Sequence, residues 1–361
     1  MPSKFRRRLF YHLPRVRYFL LGILGGLLIL GIARIVPSAW QTVKNLSLGS
    51  SIFWSVVTDS PLSLKETSGR TNILILGIAG GNHDGANLTD TMIFLSVDTK
   101  TYAMTMVSIP RDIWVDSLKS KINSAYEFGE EKRKGGGLIL TKAVVEDTLG
   151  QPVHYALLIN FSGFTKMIDR LGGLDIEIEN SFDDPKYPIA GLENDLCDGD
   201  PEYLCRYERL HFDKGLQTMN GEQALKYVRS RQAEGDEGTD FARSRRQQKM
   251  LTSFKNKILS YKILLSPGKI LALQKEFGEN VSTDIQTSEI DDLLKISRKL
   301  NSSKIKTLVL DTGDEKTGRE GLLINPSAWE YKGAWVLVPK AGNWGEIQRY
   351  IDGELKETPS S

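Results

Sequence analysis

Three short apolar runs lie close together in the first third of the chain: 72–78 (NILILGI), 92–97 (MIFLSV) and 103–109 (AMTMVSI). Their length, their aliphatic content and the turn residues between them predict strands. Asp98-Thr99-Lys100-Thr101 separates the second from the third and predicts a hairpin. Pairing centred near Lys100 sets Asp90 opposite Pro110, and so places Asp90 beside Arg111 at one end of the sheet. The Gly-rich segment GIAGGNHDGANLTD, between the first two strands, opens at the same end. Helical spacing follows at 138–149, 162–171 and 221–230, with strand patterns at 153–160 and 174–179. Leu171-Gly172-Gly173 marks a helix stop. The last hundred residues or so predict a long helix, a weaker helical region, strands near 305–310 and 335–338, and a short amphipathic helix at 344–352. Strands and helices mixed in this order predict a mixed α/β (α+β) fold, with a central, partly antiparallel sheet flanked by helices. No internal repeat and no second-domain boundary stands out.

The beginning of the chain has a different pattern. Lys4, Arg6, Arg7, Arg8, Arg15 and Arg17 precede an apolar run at 19–33 that continues past Arg34 to Val36. The run is close to the ~20 residues a bilayer-spanning helix needs, and Arg34 can snorkel at its far end. Basic residues before it predict a cytoplasmic N-terminus. The chain then divides into a basic tail (1–17), a transmembrane anchor (18–37), a polar stalk (38–70) and an outer domain (71–361). A cleaved signal peptide is the competing reading, but the small-residue site near Pro37-Ser38-Ala39 has proline in a poor position. Gly22 and Gly26 form a GxxxG pair, a helix-dimerisation pattern that is also common in ordinary membrane spans. This topology puts the rest of the chain outside the cytoplasm, at the cell membrane. Cys197 and Cys205, the only cysteines, share one polar loop there and are expected to form a disulfide. A metal site at that loop is disfavoured, because His211 stands alone nearby.

Composition changes the picture in one place. Lys+Arg (47) and Asp+Glu (45) nearly balance across 361 residues, which argues against a nucleic-acid binder. Yet Arg229, Arg231, Arg243, Arg245 and Arg246 fall within eighteen residues. Guanidinium forks bind phosphate bidentately, so a cluster split between two helices suggests a polyanion site such as one for pyrophosphate. The competing reading is a solvated basic surface. Met250, Leu251, Phe254 and Ile258 define the buried face of the second helix, with Asp240 as its expected N-cap. At 100° per residue Arg243, Arg246 and Gln247 share that face, and Arg245 points nearly opposite. Inward arginines in a first helical turn need an anion, which the helix N-terminus also favours. A salt bridge from Arg243 to Asp240 is the structural alternative. Arg229 and Arg231 end a helix at 221–228, where cations are favourable in any case. The loop EGDEGTD between the helices can bring both groups over one site.

Ser108-Ile109-Pro110-Arg111-Asp112 adds an Arg-Asp pair at a strand end, and an Asp beside arginines and phosphate is a usual way to hold Mg²⁺. Walker A, GxSxG and HExxH patterns are absent. His12, His83, His154 and His211 are scattered, with His83 in the Gly-rich loop near the candidate site. Gly135-Gly136-Gly137 precedes a helix, as a phosphate contact or as a flexible lead-in.

Six segments in register resemble the LytR-CpsA-Psr family: TDTMIFLSVD (89–98), SIPRD (108–112), KINSAYEFG (121–129), FSGFTKMIDRLGGLDIEIE (161–179), GLQTMNGEQALKYVRSR (215–231) and DFARSRRQQ (240–248). The resemblance implies transfer of a glycopolymer from a polyprenyl-pyrophosphate carrier to a sugar hydroxyl of peptidoglycan, in cell-wall biogenesis. It implies phosphoryl transfer assisted by Mg²⁺ or Mn²⁺, with a lipid pocket between sheet and helices. Matched by motif, the site would hold Asp90, Arg111, Arg229, Arg231, Arg243, Arg246 and Gln247. Asp90 would be the metal ligand, Lys121 a further pyrophosphate contact, and Asp240 an oriented carboxylate or a base for the acceptor hydroxyl. Two positions depart from the family's pattern. Ala79 stands where an Asp usually ends the first strand, and Leu88 where an Arg often precedes the DTM aspartate. His83 or Asp84 is the candidate substitute ligand. Pyrophosphate hydrolysis, or non-catalytic polyprenyl-phosphate binding in envelope assembly or sensing, are the alternative functions.

Overall fold

The structure is a computed structural model that describes residues 62–81, 85–192, 194–260, 267–300, 305–314 and 318–357. The expected tail, the anchor and most of the expected stalk lie outside these residues, as do His83 and Asp84. Among the described residues no helix is long and apolar enough to cross a membrane.

The consecutive strands Arg70–Ile78 (β1), Thr89–Asp98 (β2) and Met104–Ser108 (β3) lie at the centre of a six-stranded sheet, with β2 antiparallel to both β1 and β3. Tyr155–Asn160 (β4) pairs parallel with β1, and Val281–Thr283 (β5) closes that edge antiparallel. Ile305–Val309 (β6) pairs parallel with β3 at the other edge. The sheet is therefore mixed, as expected. Both of its faces are covered, which explains why its strands read as continuous apolar runs. Leu74, Leu76, Met92, Phe94 and Val107 pack on one side with the helices Gly136–Leu149 and Gly345–Lys356. Ile93, Leu95, Met104, Met106 and Tyr155 pack on the other, beside Ile296 of the helix Thr287–Lys299. A second core holds the helices Phe161–Leu171 and Gly221–Arg229 against a pair of small two-stranded sheets.

Three details depart from the sequence reading. Residues 62–69, expected in the stalk, pack on the domain: Leu64 is buried, the Lys65 amide donates to Tyr155 OH (2.8 Å), and Ser63 donates to Asp292. A hairpin, Phe182–Pro188 with Tyr207–Phe212, flanks the polar cysteine loop, where the sequence reading placed no strands. The disulfide Cys197–Cys205 closes the loop at its far end. The strand expected near 335–338 is reduced to Val338–Pro339, paired with Leu323–Ile324. Leu337 is instead stitched to the segment after β3, its amide donating to Asp112 O and its carbonyl accepting from the Trp114 amide.

Candidate functional site

Hairpin register brings Asp90 and Arg111 together. Ile93 pairs with Ser108, and the Ile109 amide donates to Met92 O at 3.0 Å. This is one residue out of step with the expected register and sets Asp90 level with Arg111 rather than Pro110. A bulge finishes the placement. Gly77 pairs with Thr91 but Ile78 pairs with Thr89, so Asp90 is the extra residue. A bulge turns such a residue out of the ladder and re-aims its side chain. Asp90 Oδ1 accepts from Arg111 Nη1 at 2.5 Å. Behind Arg111, Asp112 Oδ2 lies 3.6 Å from Arg111 Nε, and Lys121 Nζ donates to Asp112 Oδ1 at 2.6 Å. Burial lowers the Arg111 pKa, but Asp90 and Asp112 more than offset it and hold the guanidinium above its ordinary value.

The second wall comes from the helix Asp240–Ile258. Its N-cap is Thr239 and not Asp240: Thr239 is extended and its hydroxyl accepts from the Ala242 amide at 3.1 Å. Asp240 is thereby released from capping and pairs with Arg243 Nη1 at 3.1 Å. Arg246, Gln247 and Met250 are buried on the inward face, and Arg245 is exposed, as the helical projection required. The two inward arginines then part company. Arg246 donates to Glu237 O (2.9 Å), Glu237 Oε2 (2.9 Å) and Ser230 O (2.8 Å), over the Phe182 ring. It was expected to bind pyrophosphate, but its anion is supplied by the fold, and it lies behind the cleft and not along it. Arg243 faces the cleft. Burial, followed by the like charges of Arg231, Arg111 and Arg246, brings its pKa down to about 10 despite Asp240.

Arg229 and Arg231 are held by a residue the sequence did not single out. The wholly buried Asp184 accepts from Ser230 Oγ (2.7 Å) and from the amides of Arg231 and Gln232 (both 3.2 Å), which fixes the chain as it leaves the helix. Arg229 donates to Tyr187 OH at 3.0 Å and lies 4.2 Å over the Phe161 ring. The Arg231 guanidinium is exposed and has no acceptor among the described residues.

These walls enclose a cleft with two arms. Asp90, Thr91, Arg111, Arg231, Arg243 and Gln247 line both. The wide arm, about 330 Å³, continues past Arg229, Lys186, Phe161, Val228 and Tyr207. The narrow arm, about 40 Å³, continues past Pro110, Asp112, Asp240, Trp335 and Leu337. Lys121 lines neither arm and reaches the site only through Asp112. At the junction the Gln247 amide oxygen is buried without a partner. A buried, unpaired amide oxygen beside clustered guanidiniums is an arrangement suited to a bound polar ligand.

Residues 50–330 match the LytR_cpsA_psr family. The chain belongs to this family. The polyisoprenyl-teichoic acid–peptidoglycan teichoic acid transferase TagU of Oceanobacillus iheyensis is 31% identical over 289 residues, covering 79% of this chain and 76% of TagU. TagV of Bacillus subtilis, named with the same activity, is 28% identical over 297 residues, 80% of this chain and 66% of TagV. The crystal structure of B. subtilis TagV aligns with a TM-score of 0.54 at 26% identity, across 81% of this chain and 100% of that one. TagT bound to LI-WTA aligns at 0.51 and 20% identity, across 81% of this chain and 94% of that one, a likeness of fold.

Within this LytR_cpsA_psr chain, the described residues do not build a metal cage. Ala79 follows β1 without a carboxylate, and the Leu88 amide only closes a turn onto Gly85 O (3.0 Å). Asp90 and Asp240 are the cleft carboxylates outside the Asp112 and Asp184 networks, and each is paired with an arginine. No three carboxylate, histidine or cysteine ligands converge on them among the described residues. The group that does converge, Asp195 with Cys197 and Cys205, belongs to the disulfide loop.

Proposed function

We propose that this protein is a phosphotransferase that moves a glycopolymer from a polyprenyl-pyrophosphate carrier to a sugar hydroxyl of peptidoglycan. The observation that carries the reading is the wall shared by the two arms, where Arg111, Arg231 and Arg243 meet around Asp90 and Gln247. A wall lined from two sides suits a reaction in which a donor and an acceptor meet at one phosphorus. The activity for which TagU and TagV are named is of the same reaction class. In this reading the carrier's pyrophosphate lies against Arg111, Arg231 and Arg243, with Arg229 along the wide arm. The acceptor oxygen forms a bond to the glycan-bearing phosphorus. The bridging P–O bond breaks, polyprenyl phosphate leaves with the electron pair, and the hydroxyl proton passes to the Asp240 carboxylate. The guanidiniums stabilise the charge that builds on the phosphoryl oxygens, the largest contribution in reactions of this kind. A magnesium or manganese ion, if bound, would be held by Asp90 and would supply further neutralisation of the phosphate charge. The segment 18–37 anchors the chain in the cell membrane with the catalytic domain outside.

The departures at Ala79 and Leu88 favour a second reading, a non-catalytic binder of polyprenyl phosphates. One experiment separates the two. Full-length protein in detergent receives lipid-pyrophosphate-linked oligosaccharide, Mg²⁺ and peptidoglycan fragments, and a phosphodiester-linked product is sought by mass spectrometry. Product that disappears in Arg111→Ala and Asp90→Ala supports transfer. Lipid binding with no turnover in the unmodified protein supports the binder, and turnover with water alone would identify a hydrolase.

A further inference from the structure

Two aromatic residues of the cleft differ in their surroundings. In the wide arm the face of Phe161 is covered by the Arg229 guanidinium. In the narrow arm Trp335 stands 54% exposed, with no ring partner, cation or hydrogen-bond acceptor among the described residues. The two residues that follow it are nonetheless firmly held. Asn325 Nδ2 donates to Val336 O at 2.6 Å, and the Leu337 amide donates to Asp112 O at 2.9 Å. The Trp114 amide in turn donates to Leu337 O at 2.9 Å, and Val336 and Leu337 are both buried. The indole is thus an uncovered apolar plate fixed next to the segment that carries Arg111, in the arm that Asp240 also lines. Pyranose rings present a face of C–H groups that stacks on such a plate, while their hydroxyls need polar partners at its edge.

We propose that the narrow arm is the acceptor subsite and that Trp335 is its sugar platform, stacking a pyranose ring of the peptidoglycan glycan strand so that its hydroxyl faces Asp240 and the arginine wall. This rests on the transfer reading above and adds to it which arm each substrate occupies. Trp335 acts as a positioning residue: it lines the arm but sits outside the arginine wall, so it governs acceptor binding and leaves the donor untouched.

The test uses full-length protein in detergent and tetra-N-acetylglucosamine as the probe. Saturation-transfer NMR and titration should show binding that weakens roughly tenfold in Trp335→Ala, persists in Trp335→Phe, and is unchanged in Trp329→Ala, an exposed tryptophan that does not line the cleft. In the transfer assay Trp335→Ala should raise the acceptor KM by a similar factor, with donor KM and kcat unchanged. No probe binding to the unmodified protein, or equal binding to Trp335→Ala, overturns the proposal. So does a rise in donor KM in place of acceptor KM, which would assign the platform to the donor's glycan. Probe binding that depends on Trp335 without phosphodiester product keeps the subsite and refutes the transfer reading. Transfer with an unchanged acceptor KM in Trp335→Ala does the reverse.

Discussion

Arg243 and Arg246 stand about one helical turn apart on the same inward face, yet their surroundings differ in kind. Arg246 has three acceptors from the fold, and its side chain is 3% exposed. It ties the start of its own helix to Ser230, between Arg229 and Arg231, and so braces the two arginine-bearing segments against each other. Arg243 has one carboxylate, the half-exposed Asp240, and shares its surroundings with Arg231 and Arg111. Burial first, and then the like charges of Arg231 and Arg111, bring its pKa down to about 10; burial lowers the Arg246 pKa too, and there Glu237 opposes it. The contrast teaches where to look in a basic cluster. A guanidinium whose acceptors all lie inside the fold is a brace, and one that has a single half-exposed carboxylate among other guanidiniums marks the place a polyanion fills.

The largest effect should come from breaking the brace. Arg246→Met leaves Ser230 O without its Arg246 donor and Glu237 with only its longer contacts to Arg245 and Asn180, and removing one member of a buried pair costs about 3–5 kcal/mol. Denaturant unfolding measures this, and Glu237→Gln in the same chain should recover part of the loss. A stability equal to that of the unmodified protein would mean that Arg246 is not a brace. Arg243→Gln should behave in the opposite way. Unliganded stability stays the same or rises, because a compressed charge is removed, while turnover falls on the order of 10²–10³-fold, the scale for losing one transition-state donor. Inorganic pyrophosphate at 100 times its Kd should stabilise the unmodified protein by about 2.7 kcal/mol. At the same concentration it should stabilise Arg243→Gln much less. Equal thermal shifts in the two proteins would place the polyanion elsewhere.

How much of this was legible beforehand depended on the range of the interactions involved. The central strands were visible because both faces of the sheet are covered, so each strand is an apolar run bounded by turns. Their register slipped by one residue because the loop takes four residues, Thr99 to Tyr102. Tyr102 sits at φ 57° and the Asp98 amide donates to Ala103 O (2.9 Å). The inward face of the arginine helix followed from its periodicity alone. The division of labour within that face did not, since it is decided by Glu237 and Ser230, which reach Arg246 through a loop whose path no local rule predicts. Asp184 was invisible for a similar reason. Its partners lie 46 to 48 residues further on, and its hairpin is interrupted by Pro185 and by the disulfide loop. Trp335 carried no signal of its own, because exposure next to a cleft is a property of packing.

Two smaller effects sharpen the comparison further. Arg231 is exposed and lines both arms, so Arg231→Ala should leave stability within about 0.5 kcal/mol. It should raise the donor KM roughly tenfold, the value of one charge-assisted contact to phosphate. A fall in kcat with an unchanged KM would instead place Arg231 against the transition state alone. Arg245 is the control that the contrast requires. It belongs to the same sequence cluster, carries the same charge and adjoins Arg246, but its exposed side chain lies 3.7 Å from Glu237 and lines neither arm of the cleft. Exposed pairs contribute little, and Glu237 keeps its stronger contact to Arg246. Arg245→Ala should therefore change stability by less than about 0.5 kcal/mol and leave both KM values and kcat as they were. Kinetics at low and high ionic strength check this together. If Arg245→Ala lost turnover as Arg243→Gln does, net charge in the neighbourhood would matter more than the placement of each guanidinium, and the distinction between brace and ligand site would fail.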